Sequence, residues 1–255
     1  MPPRKGIRTT FKEYIEGFPY YVRIIQDYVQ PASVNRLQIV RDMFRNLLDQ
    51  KGRDIEWEID IPKGDSLKFK DIERNGNRLE VQLSCKIKGI APTLESENLI
   101  ITEYKTQLWI RSLEKKLSFR PKFDSRDLCH QLSENDWKRV ILSFHVDFRD
   151  PNTRIYEPIF HLHVGGRLEE KELCWIPNTI EEPRFYFFPL DVVLLSEFIL
   201  LNYRPEVHDE LRKQPEWTKR IIYSQNLYLK PYVLKVYNYL DDNNYTLLNH
   251  LAQCY

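Results

Sequence analysis

Three histidines and an aspartate lie on two short segments in which apolar and polar residues alternate. The segment "RVILSFHVDF" carries His145 and Asp147, and the segment "IFHLHVGGR" carries His161 and His163. Because successive side chains of a β-strand point to opposite faces, each pair occupies one face of its strand. A hairpin centred on Thr153 would place His145 opposite His161 and would bring both pairs together on its polar face.

General acid–base cleavage of RNA is one chemistry that suits such a patch. Imidazole titrates near neutral pH, so one histidine can take the proton of the ribose 2′-hydroxyl while another protonates the leaving oxygen. A cation must then hold the phosphate, and Arg167 and Lys105 are the candidates. The candidate catalytic residues of this patch are His145, Asp147, His161 and His163.

Metal binding is a second interpretation of the same patch. Its three histidines supply nitrogen ligands, and Asp147 or Glu169 would complete the set. The His-x-His pair resembles that of the cupins, although Glu169 is displaced from the cupin spacing. A third interpretation is a recognition surface for a protein or RNA partner, with contacts added by Tyr156 and Trp175.

The segment "ITEYKTQLWI" contains Glu103 and Lys105, which share the Glu-x-Lys spacing of PD-(D/E)xK nucleases. Such nucleases also need an aspartate on a neighbouring strand, and Asp65 and Asp71 are the nearby candidates. Alternating Glu and Lys residues are also common on a solvated strand face. The sequence therefore leaves this nuclease hypothesis as an alternative.

Basic residues cluster between the predicted strands, although the chain as a whole is nearly neutral. Lysine and arginine number 38, while aspartate and glutamate number 37, so no overall positive field indicates nucleic-acid binding. A local patch can still bind RNA or DNA, and apolar residues interleave with this one. A solvated face is the other interpretation. The basic residues concerned are Arg111, Lys115, Lys116, Arg120, Lys122 and Arg126.

The periodicity of apolar residues predicts one α+β domain over residues 1–255. Three- to four-residue spacing predicts helices over residues 1–52, interrupted at Pro19, with Ser33 as an N-cap. Alternation then predicts an antiparallel meander of about six strands over residues 53–166, and "RNGN" predicts a hairpin turn. Residues 187–255 are predicted to form helices packed on one face of the sheet.

Prolines and an aspartate mark the boundaries of the predicted C-terminal helices. Asp191 suits the positive end of the apolar helix "VVLLSEFILLNY". Pro205 and Pro215 suit the first turns of the next two helices. Pro231 is expected to kink or end the last long helix, and a short helix is expected over residues 245–254.

Cysteine usage and hydropathy predict a cytoplasmic protein with reduced thiols and no membrane association. The four cysteines are widely spaced and form no Cys-x-x-Cys pair, so each is expected to be a small buried apolar residue. No Rossmann or P-loop fingerprint is present, and no cofactor is expected. The cysteines are Cys85, Cys129, Cys174 and Cys254.

The run from "FHLHVGGR" through "PRFYFFPLDVVLLSEFILLNY" to "PEWTKRIIYSQNLYLKPY" resembles uncharacterised bacterial accessory proteins of the defence-island type. In those proteins a strand ending in Gly-Gly precedes a Pro-Leu-Asp helix start, and the likeness covers about residues 159–232. The resemblance implies a prokaryotic defence or mobile-element system and no particular activity. We therefore expect a non-enzymatic module that binds another protein of its system, with a toxin-type ribonuclease as the alternative.

Overall fold

The computed structural model describes residues 6–48, 54–74, 77–93, 99–113, 140–148, 160–164, 184–186 and 188–241. Helices precede and follow an antiparallel sheet, which confirms the predicted α+β class. The helices are α1 (Ile7–Ile25), α2 (Pro31–Leu47), α3 (Val192–Tyr203), α4 (Pro205–Arg212), α5 (Pro215–Ser224) and α6 (Lys230–Asp241). A 3₁₀ turn (Lys63–Asp65) and a π-helical turn (Gln225–Leu229) complete the helical segments.

The strands are β1 (Ile55–Ile61), β2 (Leu67–Arg74), β3 (Asn77–Ala91), β4 (Ile100–Ser112), β5 (Val140–Phe148), β6 (Phe160–Val164) and β7 (Arg184–Tyr186). Their order across the sheet is β1-β3-β4-β5-β6-β7, and β2 also pairs with β3. The expected count of about six strands is not confirmed. Four strands with described side chains, β1 to β4, carry the sheet core, and β5 to β7 extend it as backbone segments in which only Val146 has a described side chain. No alternation in the sequence indicated β7.

Helix α1 continues through Pro19, so the predicted interruption there was wrong. Proline removes one backbone hydrogen bond and crowds the preceding turn, which costs about 3 kcal/mol in a helix interior. The apolar face continues on both sides of this position, with Phe18 and Val22 buried against the core. Burial of that face offsets the cost, because tertiary packing supplies most of the stability of a protein helix.

Ser33 joins α2 to the sheet and is not an N-cap, because α2 begins two residues earlier at Pro31. The Ser33 hydroxyl donates to the Ser66 carbonyl oxygen at 3.1 Å and accepts from the Lys68 backbone N–H at 2.9 Å. The link between α1 and α2 also pairs with β2 through an isolated bridge of Val29. The outer edge of β2 is therefore covered, which protects it from pairing with another chain.

The predicted hairpin at "RNGN" is confirmed by the pairing of Arg74 with Asn77 between β2 and β3. A bulge interrupts the same pair of strands between Phe69 and Ile72. Within it Asp71 has a φ of 57°, a conformation that aspartate tolerates better than most residues.

The C-terminal helices follow the predicted boundaries until Pro231. Pro205 and Pro215 stand at the first positions of α4 and α5, as predicted. Pro231 does not end a helix, because α6 begins at Lys230 and runs through it. The π-helical turn immediately before Pro231 has a wider hydrogen-bond spacing, which accommodates a residue without an N–H.

Several predicted features lie partly or wholly outside the described residues. The closing helix over residues 245–254 is one of them, and the single-domain organisation remains a prediction. Cys85 is buried, as expected, while the other three cysteines also lie outside. Within the described ranges, no helix has the length and apolar character needed to cross a membrane.

Candidate functional site

Strands β5 and β6 bring together the four residues that the sequence singled out. His145 pairs with His163, and Asp147 pairs with His161. The predicted register, with His145 opposite His161, was wrong by two residues. A shift of two residues between the strands does not change which residues share a face. The prediction that the four residues share one face therefore does not depend on the exact pairing.

Burial of one neighbouring residue identifies the face on which this group lies. Val146 stands between His145 and Asp147 and is buried in the core. Alternation along the strand predicts the sheet face opposite the core for His145 and Asp147.

Pairing with the neighbouring strands extends each pair into a row across the sheet. In the first row Asp147 is flanked by Lys105 of β4 and His161 of β6, and His161 is followed by Tyr186 of β7. Directly opposed residues on antiparallel strands have Cα atoms about 4.5–5.5 Å apart, close enough for side chains to interact. Lys105, a predicted phosphate ligand, is thus the register partner of Asp147.

The second row lies two residues away and contains His145, His163 and two residues that the sequence did not indicate. Gln107 of β4 pairs with His145, and Arg184 of β7 pairs with His163. Arg184 was missed because β7 has only three residues and follows a proline-rich segment. We call these two rows, Lys105-Asp147-His161-Tyr186 and Gln107-His145-His163-Arg184, the histidine rows.

Several other residues that the sequence predicted for this site lie in parts of the chain that the structure does not describe. Arg167 and Glu169, together with Tyr156 and Trp175, lie outside the described residues. The same holds for the basic residues Lys115, Lys116, Arg120 and Lys122. In the part of the chain whose side chains are described, no group of three His, Cys, Asp or Glu residues is arranged to hold a metal ion.

Glu103 contacts two lysines of the neighbouring strand β3. It contacts Lys86 at 2.8 Å and Lys88 at 3.0 Å, and the hydrogen bond from Lys86 is the main cause that lowers the pKa of the Glu103 carboxyl. Asp71 lies on β2 and Asp65 in the 3₁₀ turn, and β3 separates both elements from β4. The expected aspartate on a strand next to Glu103 is therefore neither of them.

Asp191 accepts hydrogen bonds from three helices at a buried polar junction. It caps α3 by accepting the Leu194 backbone N–H at 3.0 Å, which agrees with its predicted place at the helix start. Tyr14 of α1 donates to it at 2.7 Å, and Ser224 of α5 donates at 2.9 Å. Burial raises the pKa of Asp191 to about 6 despite these donors. Because the carboxyl is fully buried, its role is to join the helices.

A second buried carboxylate, Glu197 of α3, is surrounded by donors from α4 and α5. The donors are Nε2 of His208 at 3.1 Å, Nε of Arg212 at 2.6 Å and Nε1 of Trp217 at 2.6 Å. Asp209 lies 3.3 Å from the other ring nitrogen of His208. No sequence pattern indicated this cluster, since its members come from three different helices and meet only through helix packing. Its geometry fixes how α4 and α5 pack on α3.

A cleft of about 540 Å³ lies between the C-terminal end of α1 and the junction of α4 with α5. Positive and negative side chains alternate around it, so it suits a polar ligand. Its lining includes Arg23, Asp27, Tyr28, Lys213, Gln214 and Glu216.

Comparison with protein-family models, with curated proteins and with solved structures finds no match to this chain. The histidine rows, the cleft and the helical surfaces are therefore interpreted from their own chemistry.

Proposed function

We propose that this chain is a non-enzymatic module that binds another protein of a prokaryotic defence or mobile-element system. The observation that carries the proposal is an apolar strip on α6. Val233, Leu234 and Tyr237 are 43%, 40% and 62% exposed, and their spacing places them within little more than one helical turn. Clustered exposed apolar side chains are typical of surfaces that bind partners.

Neighbouring aromatic residues support the same role for α6. Tyr232 forms an edge-on contact with Phe188, whose side chain is also exposed. Tyrosine and phenylalanine are enriched in the buried centres of protein interfaces. The prokaryotic context rests on the order of sequence features over residues 159–232.

A charge-introducing variant tests this proposal. Leu234→Glu/Tyr237→Glu places two carboxylates in the strip, and Ile39→Glu/Met43→Glu is the matched control because that pair is equally exposed on α2. The tagged proteins are purified from the native host, and companions are quantified by mass spectrometry. We expect one stoichiometric companion with the wild type and the control, and its loss with the α6 variant. Retention by the α6 variant contradicts the proposal.

Ribonuclease-like cleavage at the histidine rows is the second candidate function, and the register of β5 and β6 is the observation that favours it. One histidine would accept the 2′-hydroxyl proton as that oxygen attacks the adjacent phosphorus. Another would protonate the departing 5′-oxygen, leaving a 2′,3′-cyclic phosphate. Lys105 lies in the same row as Asp147 and His161 and would balance the phosphate charge.

His161→Ala/His163→Ala tests the second candidate, with Glu56→Ala on the far strand β1 as the control. Cleavage of a fluorescent RNA and growth inhibition on expression are both measured. Loss of both activities in a variant that still folds by circular dichroism supports the ribonuclease. Absence of cleavage by the wild type, or equal cleavage by the double variant, rejects it.

A further inference from the structure

Cationic and aromatic side chains alternate across the surface where α1 meets α5. Arg23 lies 5.0 Å from the ring centroid of Tyr20, and Arg220 lies 5.9 Å from the same ring. Arg220 is also 4.9 Å from the ring centroid of Tyr223, over which Lys219 lies at 6.0 Å. We call these five residues the α1–α5 array.

The central cation of the array is buried without a close counterion. Arg220 is only 5% exposed, and its Nε has no hydrogen-bond partner. Its ion pair with Glu216 is 3.7 Å long, and its hydrogen bond to the Glu13 carbonyl oxygen is 3.4 Å long. A buried guanidinium with such weak neutralisation leaves a positive potential at the surface above it.

The outer members of the array are accessible to a ligand. Tyr20 is 44% exposed, and Arg23 and Lys219 are exposed as well. Acidic residues flank the array without closing it: Glu16 is exposed one turn before Tyr20, and Glu216 pairs with Arg220. Arg23, Lys219 and the exposed part of Tyr20 therefore offer an anion with apolar faces accessible contacts, and the charge of Arg220 lies buried between them.

We infer that the α1–α5 array binds single-stranded nucleic acid. Two accessible cations on different helices, Arg23 and Lys219, with the buried charge of Arg220 between them, match the repeated charge of a phosphate backbone better than a single phosphate ion. The exposed part of Tyr20 gains contact area only from unpaired bases, because the bases of a duplex are stacked on each other. The inference is independent of the proposed companion protein and of the histidine rows.

The cleft beside the array provides room for one nucleotide of such a strand. Arg23 lines the cleft and also contacts Tyr20, while Glu216 lines it and pairs with Arg220. Its volume of about 540 Å³ falls within the range of about 300–1,000 Å³ that is usual for ligand sites.

Fluorescence anisotropy with a 5′-labelled oligothymidylate and an oligouridylate of about 20 nucleotides tests the inference at several salt concentrations. Arg23→Ala/Lys219→Ala removes two accessible cations and keeps the buried Arg220. Arg45→Ala/Lys230→Ala removes two exposed cations elsewhere and is the matched control. We expect wild type and control to bind alike, and the array variant to bind at least tenfold more weakly at low salt. Its salt dependence should fall by about 0.7 in logarithmic slope for each phosphate that the variant no longer neutralises.

Further binding measurements distinguish single-stranded nucleic acid from other anions. Tyr20→Ala should weaken binding of the single strand and leave any weak duplex binding unchanged. Absence of oligonucleotide binding by the wild type overturns the inference, as does equal affinity of the array variant. Equal or tighter binding of a polyglutamate peptide also overturns it, because the surface would then be a general anion surface.

Discussion

The guanidinium of Arg220 occupies the space that a side chain on Gly17 would need. A Cβ built on Gly17 would lie 1.0 Å from Nη1 of Arg220, so any other residue at this position would have to displace the end of the arginine side chain. The arginine in turn lies between the rings of Tyr20 and Tyr223. The closest approach of α1 and α5 therefore depends on one pair of residues.

Gly17→Ala is expected to destabilise the protein by about 1–3 kcal/mol, because the arginine must leave its place. Helix propensity alone predicts the opposite change in stability, since alanine is favoured over glycine in helices by about 1 kcal/mol. Urea unfolding measures the change. Arg220→Ala should remove most of the penalty from Gly17→Ala in a double-mutant cycle, and additive effects would contradict the proposed clash.

Asp191 should make stability depend on pH. Burial raises its pKa from 3.8 to about 6, so the folded state binds the proton more tightly than the unfolded state. The contribution of Asp191 to the free energy of unfolding is therefore complete below pH 3.8 and is lost as the pH rises through 6. The loss amounts to about 3 kcal/mol, at 1.36 kcal/mol for each pKa unit.

Asp191→Asn retains the capping oxygen and removes this titration. Urea unfolding at about pH 4 and pH 7 should show that the wild type loses about 2 kcal/mol relative to the variant as the pH rises, because part of the loss has already occurred at pH 4. Asp27→Asn at an exposed position provides the control. A wild type and Asp191 variant with parallel pH profiles would show that Asp191 titrates normally.

Glu197→Ala is expected to cost about 3–5 kcal/mol, because it leaves His208, Arg212 and Trp217 without their shared acceptor. Glu206→Ala removes only an exposed pair with Arg204 and should cost less than about 1 kcal/mol. Thermal and urea unfolding compare the two variants. Similar small losses would mean that α4 and α5 pack on α3 without help from Glu197.

Gly89→Ala should destabilise the sheet, because its Cβ would lie 2.5 Å from the Ile100 carbonyl oxygen and 2.6 Å from the Trp57 ring. Neither neighbour is the end of a flexible chain, so the strands must separate at a cost of about 1–3 kcal/mol. Gly64 faces open space, and Gly64→Ala should change stability by less than about 0.5 kcal/mol. Equal stability of the two variants would show that β3 and β4 can shift freely.

Local patterns predicted the helices and strands well where one residue type decides the structure. Pro205 and Pro215 begin helices because a first-turn residue needs no N–H donor, and the Asn-Gly dipeptide forecast the pairing of Arg74 with Asn77. Pro19 misled the prediction because packing of the flanking turns outweighs the lost hydrogen bond, whereas Pro231 follows a π-helical turn that needs no N–H from it.

The pairing of the strands that carry the candidate site could be predicted from the sequence, and its exact register could not. Alternation placed His145, Asp147, His161 and His163 on one surface, and parity made that placement insensitive to the two-residue error in register. Alternation does not predict which strand lies next to β6, so the pairing of Arg184 with His163 could not be predicted from the sequence. The buried partners of Glu197 could not be predicted either, because they lie on other helices and meet it only through helix packing.

The junction at Asp191 also has a consequence for synthesis of the chain on the ribosome. Tyr14 and Asp191 are 177 residues apart, and the third member, Ser224, follows 33 residues later. Helix α1 is made first, yet its buried aromatic face acquires these partners only after nearly all of the described chain has been translated. Until then that face has only partners made early in translation, such as Phe44 of α2 and Trp57 of β1, and a chaperone that shields the incomplete core should raise the yield of folded protein.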